Sequence, residues 1–539
     1  MGIHQALFGA GGALVSMGDI ANSLRFRASA AAYLSKTPAV QGSLTTWSYS
    51  TWVKRGALTA QRILLYAATA ESDRTFIDFN PTDNLRLGNT NANVTALETS
   101  NAVFRDPTAH MHILAVGDTS NAVAADRLRL YVNGVRLATT SAPPPLSSTT
   151  HMCRTISHNI GRNSAAGTTP YDGEMSRICL VDGQALDPSA FGYLNPTTGA
   201  WVTKSQAEIK ALVETGGVCS YMLDFTDGST VPALGNDLST KNNDWTPTNF
   251  SLTPGAEYDW MLDTPSNNYA TLDPVALPII TGTLIYANLR PGSPADATHN
   301  RWRTTIAASS GKWYFEGTPF TINASASAIG AIKTEDPNGA TYLGATAGGY
   351  SYTSGGLKAN NASASAYGAT YAAGDVIGVA LDLDAGTLEF FKNNVSQGIA
   401  YSGLAGTFHF GVSAIGSGTL TSTWNVNFGQ RPFVHTPPAG FNKLNTANLK
   451  GNGTVTVSGT FTGNANANGP FVWMNGVPTT LTINGNVVTF GTHADKTAGG
   501  FKLRTALVGY NAAGVNNWTA TIVGNKENLF KHQNAKTNP

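Results

Sequence analysis

Charge is scarce in this sequence. Lys, Arg, Asp and Glu together make up 12% of 539 residues, about half of the ~25% usual for soluble globular chains. The 34 basic and 33 acidic residues leave a formal charge of +1, so no basic field exists to hold phosphates by counterion release, and no nucleic-acid partner is expected. Cysteine is scarce too. Cys153, Cys179 and Cys219 are too few and too scattered for a disulfide framework or a CxxC metal site, and read as small buried hydrophobes. No run of eighteen apolar residues occurs, so no membrane insertion is expected. The N-terminal MGIHQALFGAGGALVSMGD lacks the basic leading region of a signal peptide, which predicts synthesis in a reducing cytoplasm.

What is present points to sheet. The chain is 42% hydrophobic with 57 glycines, a balance that supports several packed cores and argues against disorder. Its length predicts about three or four domains. Between Ser23 and Pro274, the words SLRFRA, TWSYSTWVKR, RILLYAA, TFIDF, HMHILAVGD and RLRLYVNGVRLAT show two-residue alternation or short β-rich runs. Leu128, Leu130 and Val132 share one face, Arg127, Arg129 and Tyr131 the other, and Asn133-Gly134 supplies the positive φ angles of a tight hairpin. The one helical stretch is SQAEIKALVETGG, with Ser205 as N-cap and Gly216-Gly217 as C-cap.

The expected fold class is all-β: tandem β-sandwich (jelly-roll) domains, a short N-terminal anchoring peptide and one short helix. Residues 1–22 read as either a frayed terminus or a docking peptide that buries Ile3, Leu7 and Phe8 against a larger assembly. A first sandwich with a C-terminal extension spans 23–275, and a second spans 276–435. In the second, GKWYFEG opens a strand and GDVIGVALDLDAGTLEFFKNN forms two strands around a turn. Residues 337–370, almost wholly Gly, Ala, Asn, Ser, Thr and Tyr, read as a surface loop without a core of its own. Residues 436–450 read as a linker carrying a short docking segment, and 451–539 as a small C-terminal β-sandwich of about seven short strands.

Catalytic motifs are missing: the chain has no HExxH, GxSxG, Walker or GxGxxG pattern. His110 and His112 alternate on one strand face, but without acidic or thiol ligands at metal spacing they read as surface or interfacial residues. Asp382 and Asp384 lie two apart in a turn, where Asp bonds its own backbone, rather than as the acid and nucleophile of a glycosidase. Binding has better candidates. Tyr342, Tyr350, Tyr352 and Tyr367 sit in the 337–370 stretch, and tyrosine among Ser, Gly and Asn gives contact area at low entropic cost. Trp473, Tyr510 and Trp518 are further anchors in the last block. Asp224, Asp227 and Asp237 form a loose acidic cluster, most simply turn and capping residues.

Two family resemblances cover most of the chain. SLRFRASAAAYLSKTP, TTWSYSTWVKR, HILAVGD, RLYVNGVRL and YDGEMSRICLVDGQALDPSAFG, in this order, resemble a concanavalin A-like, laminin-G-type jelly roll of bacteriophage structural proteins. GKWYFE, GDVIGVALDLDAGTLEFFKNN and FHFGVSA with NFGQRPF are similar to the SPRY domain. The resemblance implies a non-enzymatic virion protein: a tail fibre or adhesin, attached through its N-terminus to other tail or virion proteins and assembled as a homotrimer. It implies binding of a bacterial surface glycan or protein, through loops at one end of the SPRY-like sandwich. It also implies possible calcium at Asp224, Asp227 and Asp237, and otherwise no cofactor. The alternatives are a structural or decorating fibre of head or tail that touches no receptor, and a polysaccharide depolymerase.

Overall fold

A computed structural model describes residues 20–449, except 197–198, 275–283, 292–298, 323–326, 337–340, 418–419 and 422, and beyond them the strand backbone of the last block. Ile3, Leu7, Phe8 and Tyr510 lie outside the described residues. Among the described residues the chain is nearly all β, 45% strand with one α-helix.

In the first sandwich, alternating residues build two facing eight-stranded sheets. One sheet runs Val135–Arg136, Leu128–Val132, Met111–Asp118, Thr46–Arg55, Gly173–Asp182, Ser23–Phe26 and Trp260–Met261, with Tyr221–Leu223 on the far half of Gly173–Asp182. The opposing sheet carries Arg62–Ala70, Asp73–Phe79, Asn84–Asn91 and Val94–Val103 at its centre. Successive side chains on a strand point to opposite faces. Trp47, Tyr49 and Val53 therefore fill the core beside Leu24, Phe26, Met111, Ile113 and Met175. The hairpin at Asn133-Gly134 forms as expected, with φ of 49° and 79°. A Cβ on Gly134 would lie 2.3 Å from the Trp201 ring, so this glycine is required by packing as well as by the turn.

The outer face of the first sheet is not open to solvent. One half is covered by the Gln206–Glu214 helix, whose Ile209 and Val213 pack with Leu114, Val116, Cys179 and Val181. The helix opens on a capping box, Ser205 bonding the Glu208 backbone and Glu208 bonding back. Its end departs from expectation. Thr215, in a right-handed conformation, closes it, and neither Gly216 nor Gly217 is left-handed. Those glycines serve close approach instead: added Cβ atoms would lie 2.2 Å from Ser220 Oγ and Asp182 Oδ2. The C-terminal extension, with Met261, Ala270 and Leu272 packed into the second core, covers the other half.

The second sandwich sets His299–Ala308, Phe408–Ser417, Ala328–Lys333, Gly349–Thr353, Leu357–Asn360 and Ser363–Ala366 against Val395–Tyr401, Thr387–Lys392, Ile377–Asp382, Lys312–Thr321 and Thr423–Asn427. One expectation is corrected here. The 337–370 stretch is not a coreless loop: it supplies three strands, and Leu343 and Tyr352 are fully buried. Small residues allow this, because a Cβ on Gly330 would lie 2.0 Å from Tyr350 O on the paired strand. The docking segment expected within 436–450 does form. Asn442–Lys443 pairs in parallel with Lys312–Thr321, and Leu444 and Leu449 join the second core. Similarly, Ile20, expected in the terminal peptide, is buried with Trp52 and Trp201.

The last block carries seven strands among its described residues, four in one sheet and three in another.

Candidate ligand-binding surface

The tyrosines of the 337–370 region gather at one end of the second sandwich, but most point inward. Tyr352 is 0% exposed. Its ring lies 5.0–5.3 Å from those of Tyr371, Tyr367 and Phe390, and burial pushes its hydroxyl up to about 12. That hydroxyl donates to Ala369 O, and the Tyr367 hydroxyl donates to Gly398 O. The Tyr401 hydroxyl lies 2.9 Å from the carbonyls of Ser351 and Ala359. The Tyr401 hydroxyl staples one sheet to the other, and the other two tie the 367–369 segment to each of them. Tyr352 is therefore corrected from a receptor contact to a core residue. Tyr350, 5.1 Å from the Tyr401 ring, Tyr367 and Tyr342 are each half-buried.

What this end exposes is different. Leu357, Val395 and Ile399 are outward-facing apolar side chains. Gly355, Ser396, Gly398 and the whole of Asn361–Ala366 are exposed beside them. The two segments are tied by Lys358 Nζ donating to Ala400 O at 2.8 Å and Ala369 N to Gln397 Oε1 at 2.8 Å. The Ser363–Ala366 edge strand carries no charge, proline or bulge. Such a surface offers amide and hydroxyl hydrogen bonds beside small apolar patches, which suits a neutral ligand such as a sugar or an extended peptide.

Other predicted sites are not assembled. Asp224 is buried and bidentate on Arg177, with 3.0 and 2.9 Å contacts. Asp237 accepts from the Met222, Ser239 and Asn243 backbone, while Asp227, in its own turn, accepts from Ser229 N. Their oxygens are committed to an arginine and to turns, and the structure does not bring the three together as a calcium cage. Asp382 accepts from Asp384 N and Ala385 N and pairs with Lys312 at 2.8 Å, the turn role expected of it. Trp473 and Trp518 fall on strands of different sheets in the last block.

The signal that sequence reasoning missed is a buried ionic seam. On the outer face of the first sheet, Lys54 and Arg25 flank Glu174 across the strands, and His110 follows in the next row position. Lys54 Nζ donates to Asp263 Oδ2 at 2.6 Å, Asn268 Oδ1 at 2.8 Å and Tyr269 O at 2.9 Å. Arg25 and Arg27 both bond Asp259, at 3.1 and 2.8 Å. His112, two residues from His110, bonds Ser50 and Trp201 instead, so the two histidines do not share a ligand position. The strands' polar alternation resembled a solvated face, and nothing local marked it as covered.

Residues 312–430 match the SPRY domain family, and residues 28–189 match the concanavalin A-like lectin/glucanases superfamily described as laminin-G type. The chain thus contains a concanavalin A-like laminin-G domain followed by a SPRY domain. Domains of both kinds are typically binding modules rather than catalysts. Among solved structures, the chain is similar to the SPRY domain of human HERC1, at 15% identity over 26% of this chain and 87% of that one, TM-score 0.23. A human SPRY domain matches at 14% identity over 31% of this chain and 99% of that one, TM-score 0.23. The heptameric SAP-like pentraxin of Limulus polyphemus matches at 16% identity over 31% and 79%, TM-score 0.24.

Proposed function

We propose that this chain is a bacteriophage virion structural protein, a tail fibre or adhesin that attaches the particle to the host by binding a surface glycan or protein, without catalysis. The observation that carries the binding part is two binding-class sandwiches in one chain, the second ending in an exposed surface of small polar and apolar residues around Leu357, Asn361–Ala366 and Ile399. The virion part rests on the ordered words of the first sandwich, which resemble phage structural proteins. A homotrimer anchored by the N-terminal peptide would multiply weak sites into avidity.

Adsorption competition tests the reading. Purified full-length protein should bind host cells and block adsorption of the parent phage, and Leu357→Asp with Ile399→Asp should abolish the block while the fold is retained. Protein that neither binds nor competes would favour the alternative of a structural or decorating fibre, a reading supported by the internal use of the tyrosine hydroxyls. Release of reducing ends from host polysaccharide would instead make it a depolymerase. Anchoring is tested by deleting residues 1–19 only, because Ile20 belongs to the folded body. Loss of incorporation into virions is expected from a chain that still folds, and normal loading would remove the anchor from the proposal.

A further inference from the structure

We propose that His110, Glu174 and Asp263 form a binding site for one divalent transition-metal cation of the zinc class, at the junction of the two sandwiches. The three residues come from separate segments: the approach to Met111–Asp118, the start of Gly173–Asp182, and the turn after Trp260–Met261. One ligand atom from each lies within 4.8 Å of the others. His110 Nε2 is 3.8 Å from Glu174 Oε2 and Nδ1 is 3.9 Å from Asp263 Oδ1, too long for hydrogen bonds. Ligand atoms around zinc, at bonds of about 2.0–2.2 Å, stand roughly 3.3–3.5 Å apart. These two distances involve different ring nitrogens, and an ion bonds only one of them, so the ring and the carboxylates must shift until one nitrogen and both carboxylates share the ion.

Orphaned atoms point to the ligand. Both His110 ring nitrogens and Glu174 Oε1 have no hydrogen-bond partner among the described residues, although all three side chains are buried. Buried polar atoms are ordinarily satisfied, and each exception calls for an account. The nearby cations do not provide one. Lys54 spends its three protons on Asp263 Oδ2, Asn268 and Tyr269 O. Arg25 donates to Asp259, Ala256 O and Tyr258 O. Ser23 Oγ reaches Glu174 Oε2 only at 3.4 Å.

The donor set selects the ion. Two carboxylates alone would suit calcium or magnesium, but a neutral imidazole with a free nitrogen favours zinc and its neighbours. Burial, and for Glu174 the Asp263 charge, raises both carboxyls, while burial and then the Lys54 charge lower His110. The same ion would tie the first sheet to the segment that feeds the second core.

Metal retention by the full-length chain tests this. Protein stripped with a chelator in denaturant and refolded with Zn²⁺, Ca²⁺ or Mg²⁺ is desalted and assayed by mass spectrometry for metal. About one Zn²⁺ per chain should remain, with no Ca²⁺ or Mg²⁺. His110→Gln should lower zinc retention by about tenfold or more, and Cys219→Ser should leave it unchanged. That second variant matters because Cys153, Asp182 and Cys219 also lie within 4.8 Å of one another. Retention below about a tenth of an equivalent by the wild type, or equal retention by His110→Gln, overturns the proposal. Should His110→Gln fail to fold, Co²⁺-loaded wild type decides: visible d–d bands alone support the site, and a near-ultraviolet thiolate charge-transfer band moves the metal to the cysteines and refutes it.

Discussion

Trp201 donates its indole N–H to His112 Nδ1 at 3.1 Å, and that single contact fixes the histidine's state. Indole can only donate, so Nδ1 must be an unprotonated acceptor and Nε2–H faces Ser50 Oγ at 2.8 Å. Burial adds to this, and the imidazole is held down to about 3. The unfolded side chain protonates near its ordinary 6.5. Stability from the neutral ring is thus full above pH 6.5 and lost as pH falls toward the folded value. At pH 5 the loss is about 2 kcal/mol for this residue. Denaturant titrations at pH 7 and pH 5 should show a drop that is about 2 kcal/mol smaller in His112→Gln. An unchanged pH dependence would count against this assignment. His110 and His112 were legible as neighbours on one strand face. That one is satisfied and the other orphaned was not, because the groups around them lie far off in the chain: His112's partners in Thr46–Arg55 and at Trp201, and His110's unbonded neighbours Glu174 and Asp263.

Strands and turns were the most legible elements. Thr46–Arg55, Met111–Asp118, Leu128–Val132 and Ile377–Asp382 fall where alternation put them, because the period of two is a local property of an extended chain. The Gly/Ala/Ser-rich stretch misled for a physical reason. Strands made of small residues bury little by themselves, and Leu357–Asn360 and Ser363–Ala366 exist because a neighbouring strand pairs with them. The 442–449 segment was legible only in part, having two useful leucines in a polar setting. Leu444 is 1% exposed in the second core. Leu444→Ala should cost about 2–5 kcal/mol, the range for emptying a packed leucine site. Equilibrium unfolding of the full chain measures it, and a cost below about 0.5 kcal/mol would return the segment to linker status.

At the scale of the whole molecule, the two sandwiches share a wall. Lys54 of the first sheet reaches Asp263 across 209 residues of sequence. Asp172 accepts from Ala287 N at 2.6 Å, and Arg290, Arg25 and Arg27 surround the Tyr286 ring at 4.2, 5.6 and 5.6 Å. Removing one partner of a buried ion pair leaves an uncompensated charge and costs about 3–5 kcal/mol. Asp263→Ala should therefore lower the melting of both sandwiches together in calorimetry, whereas Leu130→Ala, inside the first core alone, should lower the first transition more. Destabilisation of a single sandwich by Asp263→Ala would show that the junction does not couple them.

The amino-acid sequence by itself determined the class of this protein: strands, tight turns, one capped helix, and the words resembling two binding families, all set within a few residues of chain. Only the tertiary structure decided which polar faces are dry, which tyrosines are core and where the orphaned histidine lies. Alternation says that two faces of a strand differ, but burial depends on which distant segment lies across them. Here the segment around Asp259 and Asp263 covers Arg25, Lys54 and Glu174, and turns what reads as a solvated face into the joint between two domains.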